Sequence, residues 1–259
     1  MDPAALRDDM VDGLEHALDR QLPPAVTAAM RAVPREEFVP EAPYDSRETE
    51  VAGTRVLSPA TAARLLAALA PAEDDETLLV GAGAGYTAAV VAEIVGSKRV
   101  HALDISRDAV REARSNLGAA GYDAVLVDWR DGAEGLPEYA PFDRVVVEAA
   151  AVAPPEALLE QLAADGRLVM PHGTRDQQLV AVVRDAEAAD GYAVAERFGP
   201  AQFSPLLVDG EQPGGRARNR TEREDREFAE QGHFARSGWE YEWVDWDDRL
   251  SGRERRGRR

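Results

Sequence analysis

The chain contains no cysteine, so disulfide staples, thiolate catalysis and cysteine-ligated metals are excluded. Lysine is nearly missing as well: Lys98 stands alone, and every other basic side chain is an arginine. Histidine is scarce. His16, His101, His172 and His233 are scattered so that no two stand at ligand spacing, which argues against a zinc site. Long apolar runs are lacking; stretches such as 77–80 and 145–152 are short and strand-like, so no membrane span is expected. The start, Met1-Asp2-Pro3, has no basic region ahead of an apolar stretch, and a cytoplasmic location without a signal peptide is expected.

What is abundant is acid. Against 30 basic residues stand 48 acidic ones, a net charge of −18 in 259 residues. Such a surface repels phosphate, so nucleic acid is not expected as a partner. Acid excess with arginine in place of lysine resembles the composition of proteins from salt-loving organisms, where it keeps the protein in solution. Hydrophobic residues make up 44 % of the chain, enough to fill one large α/β domain or two small ones. Nothing in the sequence sets an oligomeric state.

Periodicity divides the chain into three parts. Residues 1–56 form an N-terminal helical segment: Leu6, Met10, Val11, Leu14 and Leu18 recur at helical spacing, Pro23-Pro24 interrupts, and 25–32 resumes. A proline-punctuated stretch follows, then loop and short strand over 45–56. Residues 57–208 alternate. Ser58-Pro59 starts a helix over 60–69. Strands are expected at 77–80, 99–103, 124–127, 144–148 and 167–170, with helices at 86–95, 107–119 and 155–162 between them. The segments 179–183 and 192–198 leave little room for a helix and read as an antiparallel pair. Alternating elements with short apolar strands predict an α/β fold, Rossmann-like, with a mostly parallel sheet and helices on both faces. Residues 209–259 form a charged extension in which Trp239, Tyr241, Trp243 and Trp246 alternate with acids, ending in a basic, disordered terminus. The aromatic cluster is expected to pack back on the main domain.

The chemistry concentrates at Leu78-Leu79-Val80-Gly81-Ala82-Gly83-Ala84-Gly85-Tyr86, a strand running into a glycine turn that opens a helix. Small residues let the backbone approach a nucleotide, and the helix start offers free N–H groups. Asp104 ends the next strand about 19 residues after Gly85, the spacing of a ribose-binding acid; the competing role is a helix cap. The dinucleotide fingerprint wants a third glycine three residues after the second, and here Tyr86 stands at that position. The tighter spacing of Gly81, Gly83 and Gly85 suits S-adenosylmethionine better than NAD. Asp131-Gly132 follows the third strand, where an acid can accept from an adenine amino group; a plain Asp-Gly turn is the alternative.

Residues roughly 29 to 208 resemble the protein-L-isoaspartate O-methyltransferases. Five segments carry the likeness: Val33-Pro34-Arg35-Glu36-Glu37-Phe38-Val39-Pro40; the glycine turn with Tyr86-Thr87-Ala88; Ala113-Arg114-Ser115-Asn116-Leu117 with Gly121-Tyr122; Leu136-Pro137-Glu138-Tyr139-Ala140-Pro141-Phe142-Asp143; and Pro154-Pro155-Glu156-Ala157 running to Gly166-Arg167-Leu168-Val169-Met170-Pro171. Phe203-Ser204-Pro205-Leu206 matches the family's closing strand. The resemblance implies a repair enzyme that methylates the stray carboxylate of isoaspartyl residues in damaged proteins. It also implies cofactor contacts from Gly81, Gly83, Gly85, Tyr86, Asp104, Asp131 and Gly132, and a hydroxyl near the substrate carboxylate, for which Ser58 stands at the matching place. Ser58 serves equally as a helix cap.

The sequence departs from the family at three points. Ser58-Pro59-Ala60-Thr61 is shorter than the family segment and lacks its His or Tyr and its Met. Leu79 replaces the acid before the glycine turn, and Glu148 replaces a common hydroxyl after the fourth strand. Glu148 reads as a cofactor contact, a local acid or a solvated strand end. These departures keep two further readings open: a paralogue acting on another substrate, and a non-catalytic adaptor that recruits a partner through residues 209–259.

Overall fold

The computed structural model describes residues 2–18, 21–51 and 53–207. The expectations for 209–259, including the Trp239–Trp246 cluster and the basic end, lie outside the described residues.

Two helices open the chain, α1 (Pro3–Leu18) and α2 (Pro24–Ala32), separated at the proline pair as the periodicity predicts. A short hairpin follows, β1 (Thr49–Val51) and β2 (Thr54–Val56), and then α3 (Pro59–Leu69). The alternating part contributes β3 (Thr77–Val80), α4 (Tyr86–Val95), β4 (Val100–Asp104), α5 (Arg107–Ala119), β5 (Leu126–Trp129) and β6 (Phe142–Val147). It closes with α6 (Glu156–Glu160), β7 (Leu162–His172), β8 (Gln177–Arg184) and β9 (Tyr192–Ala201).

The large sheet has seven strands in the order β5-β4-β3-β6-β7-β8-β9. Pairing is parallel from β5 to β7 and antiparallel for β7–β8 and β8–β9, the last being the expected antiparallel pair. Side chains alternate across the strands, so one strand feeds two cores. Leu79, Ala102, Val146 and Val169 pack with α1 to α5 on one face. Leu78, Val80, Leu103, Val145 and Val147 pack with Leu136 and Leu158 on the other. Both faces of the parallel part are therefore covered, which explains the continuous apolar runs in its strands.

The boundaries of β3, α4 and α5 agree with expectation, because local caps set them. Gly85 and Gly96 bracket α4, and the Ser106 hydroxyl caps α5 by accepting from Ala109 N–H. Other boundaries differ. The helix expected at 155–162 ends at Glu160, because Leu162 pairs with Phe142 and starts β7 five residues before the expected strand at 167–170. Between that pair and Arg144↔Arg167 the register shifts, so residues 163–166 form an irregularity that reads in sequence as a loop. The segment at Phe203 is no full strand: Pro205 makes an isolated bridge to Ala150, flanked by Ala150 N–H donating to Ser204 O and Leu206 N–H to Ala150 O. Proline has no N–H with which to extend a ladder.

The N-terminal segment is tied to the sheet end by one buried cation. Arg35 is 1 % exposed; its Nε donates to Pro43 O at 2.7 Å and its Nη2 to Leu57 O at 2.6 Å. Its guanidinium lies 4.4 Å from the centre of the Tyr86 ring. The same side chain thus fixes the loop before the hairpin, the residue before Ser58 and the first residue of α4. Arg35→Met keeps the apolar stem and strands both carbonyls. It is expected to destabilise the protein by about 3 kcal/mol in urea unfolding, and an unchanged midpoint would show that the tie is dispensable.

Candidate functional site

The sheet order places a topological switch point between β3 and β6, where consecutive connections leave in opposite directions. In-register pairs Val80↔Leu103 and Val80↔Val147 bring Gly81, Asp104 and Glu148 out of the sheet side by side. A cleft of about 300 Å³ opens there.

The glycine turn forms its floor. Gly81 and Ala82 N–H both donate to Leu103 O at 2.9 Å, and Gly85 N–H donates to Ala82 O at 2.8 Å. Gly81 and Gly85 each have φ of +95°, which side-chain-bearing residues rarely adopt. Both are also crowded: a Cβ on Gly81 would lie 3.3 Å from Glu148 Cβ, and one on Gly85 would lie 3.2 Å from Leu117 Cγ. Gly83 turns between them, its N–H donating to Asp104 Oδ2 at 3.1 Å.

Asp104 is held at both oxygens, since Oδ1 accepts from Ser106 N–H at 2.8 Å. Burial pushes its pKa up, while hydrogen bonds from the backbone N–H groups of Ser106, Gly83 and Ile105 pull the other way. The cap of α5 is Ser106, which removes the helix-cap role from Asp104. Gly132 lies across the cleft, and a Cβ there would fall 2.5 Å from Val80 Cγ1, so no side chain fits. Asp131 is half-buried beside the cleft rather than on its lining; its Oδ1 accepts from Ala133 N–H at 2.8 Å, the geometry of the plain Asp-Gly turn. Tyr86 does not line the cleft either. Its ring is buried under Arg35 and meets Phe38 edge-on at 5.8 Å.

Glu148 follows β6 and lines the cleft, so it is no solvated strand end. Its Oε1 is shut off from solvent without a hydrogen-bond partner. Burial pushes its carboxyl up to about 7; the Thr87 hydroxyl opposes this and the charge of Asp104 adds to it.

Ser58 is where the structure departs furthest from the site drawn from sequence. Its hydroxyl caps α3, accepting from Thr61 N–H at 3.2 Å and lying 3.0 Å from Thr61 Oγ1. Leu57 lines the cleft, whereas Ser58 faces a neighbouring cavity.

Sequence reasoning missed the roof and the far wall. Gly53, Thr54 and Arg55 of the hairpin cover the glycine turn, and residues 203–207 close the side. Arg55 joins the two: it pairs with Glu48, donates from Nη2 to Gln202 O at 2.9 Å, and lies 6.0 Å from the Phe203 ring centre. These partners are far apart in the chain, and the one local signal was the turn residue Gly53.

The raised pKa of Glu148 carries a stability consequence. From pH 4.5 to about 7 the unfolded carboxyl is ionised while the folded one keeps its proton. Stability contributed by Glu148 is thus full below pH 4.5 and lost as pH rises to about 7. Glu148→Gln removes this loss and is expected to gain stability over the same window, by at most about 3 kcal/mol above pH 7. Urea midpoints of the two proteins across that range test it; parallel profiles would place the raised pKa elsewhere.

Comparison with known proteins agrees with this geometry. A family model described as Protein-L-isoaspartate(D-aspartate) O-methyltransferase matches residues 10–212. A protein-L-isoaspartate O-methyltransferase of Aeropyrum pernix is 38 % identical over 189 residues, covering 70 % of this chain and 72 % of that one. One of Methanocella arvoryzae is 40 % identical over 184 residues, covering 69 % and 96 %. Among solved structures, a Plasmodium falciparum chain assigned to the same enzyme, in complex with S-adenosyl-L-homocysteine, superposes with a TM-score of 0.66 at 21 % identity, covering 78 % of this chain and 98 % of that one. That likeness supports the Rossmann-like methyltransferase fold. With a family model spanning most of its length and relatives at this identity, the chain belongs to the protein-L-isoaspartate(D-aspartate) O-methyltransferase family.

Proposed function

We propose that this protein transfers a methyl group from S-adenosylmethionine to the free carboxylate of isoaspartyl residues in damaged proteins. The observation that carries it is the switch-point cleft, where Asp104 and the turn of Gly81 and Gly83 converge in a chain of this family. The cleft fits the cofactor. Gly81, Gly83 and Gly132 present bare backbone to it, which a nucleoside can approach closely, and Asp104 offers a carboxylate to ribose hydroxyls. When bound, S-adenosylmethionine supplies an electrophilic methyl group on its sulfonium.

Little acid–base chemistry is then asked of the chain's own residues. A carboxylate acceptor is already ionised at neutral pH and needs no general base, so orientation and exclusion of water are what remain. The lining is consistent with this, because among the described residues it contains no histidine or lysine. The hairpin and residues 203–207 line the cleft and would limit the access of water to a bound cofactor. Glu148 stays protonated up to about 7 and can donate a hydrogen bond to an incoming carboxylate. The same buried acid favours a second reading, in which Glu148 acts as base for an uncharged acceptor of another substrate class. We place the reaction in the cytoplasm, in a salt-rich medium for which the acidic, lysine-poor surface is suited.

Purified protein at high salt, given labelled S-adenosylmethionine and a matched pair of peptides, is expected to label the isoaspartyl peptide and spare the aspartyl one. Label on neither peptide, with cofactor binding shown by calorimetry, would overturn the isoaspartyl reading. Asp104→Ala removes the ribose acceptor and frees Gly83 N–H. It is expected to weaken S-adenosylhomocysteine binding about 100-fold by calorimetry; unchanged affinity would remove Asp104 from the cofactor site.

A further inference from the structure

A second cavity, of about 500 Å³, lies against the wall of the cofactor cleft. Its lining includes Glu48, Arg55, Ser58, Thr61, Arg64 and Gln202, with Glu48 neutralised by its ion pair with Arg55. The two cavities are neighbours that share a lining residue. Leu57 and Phe203 line the cofactor cleft, while their chain neighbours Ser58 and Gln202 line the second cavity, and Arg55 reaches both.

The two arginines of this cavity differ in their partners. Arg55 is compensated by Glu48 and by the carbonyl of Gln202. Arg64 is not. The Nε of both arginines is shut off from solvent without an acceptor, but Arg64 alone of the two has no carboxylate partner among the described residues. Burial alone acts on its charge and pushes its pKa down, with nothing opposing it. In a chain of net charge −18, a half-buried guanidinium left without an anion is conspicuous. Such a group costs stability unless a partner arrives. Ser58 and Thr61 line the same cavity, and since their hydroxyls hydrogen-bond one another, one hydroxyl hydrogen of the pair is left to donate to a ligand. A guanidinium fork with flanking hydroxyls matches the planar geometry of a carboxylate.

The reacting carboxylate has to meet a methyl group supplied in the cofactor cleft, and Arg64 is not part of that cleft's lining. An anion held by Arg64 is therefore a second carboxylate of the acceptor.

We propose that the cavity lined by Ser58, Thr61 and Arg64 is an acceptor subsite in which Arg64 binds an Asp or Glu side chain flanking the methylated residue, so that the enzyme prefers isoaspartyl sites in acidic surroundings. This rests on the isoaspartyl reading of the cofactor cleft.

The test uses the full chain with S-adenosylhomocysteine and two isoaspartyl peptides, one flanked on both sides by Glu and one by Gln. Calorimetry reads their binding, and a parallel assay with S-adenosylmethionine reads transfer. The wild-type protein is expected to bind the Glu peptide about tenfold more tightly. In R64Q the two peptides bind alike, and the loss falls on the Glu peptide. R64K, which keeps the charge but not the fork, retains part of the preference and serves if R64Q does not fold. Equal binding of the two peptides by the wild type, or a preference that survives R64Q, overturns the subsite. If R64Q instead lowers kcat on both peptides alike, Arg64 acts on the reacting centre and the subsite is also overturned. Failure of the isoaspartyl reading looks different: neither peptide is methylated, while the Arg64-dependent difference in binding still decides the subsite.

Discussion

The carboxylate of Asp104 holds the centre of this site together. One oxygen accepts from Gly83 and the other from Ser106, so the turn after β3 and the start of α5 are fixed by the same side chain. Adjacency follows from the parallel register of β3 and β4, which sets Gly81 beside Asp104. The arrangement also sorts the two acids of the cleft. Asp104 is surrounded by backbone donors that favour its charge, whereas Glu148 has a buried oxygen with no donor and feels the charge of Asp104. Burial raises the pKa of both, but at Asp104 three backbone N–H groups oppose the rise, whereas at Glu148 the Thr87 hydroxyl alone does so.

Much of this frame was legible in sequence because its signals are local. The glycine turn and the apolar runs of β3, β4 and β6 each declare themselves within a few residues, and S-adenosylmethionine rather than NAD followed from the glycine spacing with Asp104 and Asp131, whereas the cap of α5 fell on Ser106 and not on Asp104. The structure puts Tyr86 off the lining of the cleft. The turn puts it next to a nucleotide in sequence, but its ring is claimed by Arg35, far upstream, and by Phe38. The roof of the cleft was illegible for the same reason: what brings the hairpin against residues 203–207 is Arg55 with Gln202 and Phe203, and no period or motif spans that separation. The start of β7 was lost to an irregular register, which sequence displays as a loop.

The substrate side illustrates how a shared motif changes meaning when its surroundings change. Ser58 keeps a hydroxyl at the place where the family has one, yet its first duty is to satisfy the backbone of α3 through Thr61 N–H. Leu57, held from behind by Arg35 through its carbonyl, is the residue that meets the cofactor cleft. The N-terminal segment is therefore part of the site's construction. Its buried cation fixes Leu57 at the wall of the cofactor cleft, next in the chain to Ser58 in the second cavity.

The close approach of Gly132 to Val80 has a consequence for how such a chain can vary. A methyl group added at 132 would collide with Val80 Cγ1 at 2.5 Å and press on Leu206 at 3.2 Å. Val80 in turn is the last residue of β3 and packs in the sheet's second core, so it cannot simply be trimmed without opening a void. The two positions are therefore coupled: a side chain at 132 needs space that Val80 and Leu206 now fill, so substitutions at these sites do not add independently.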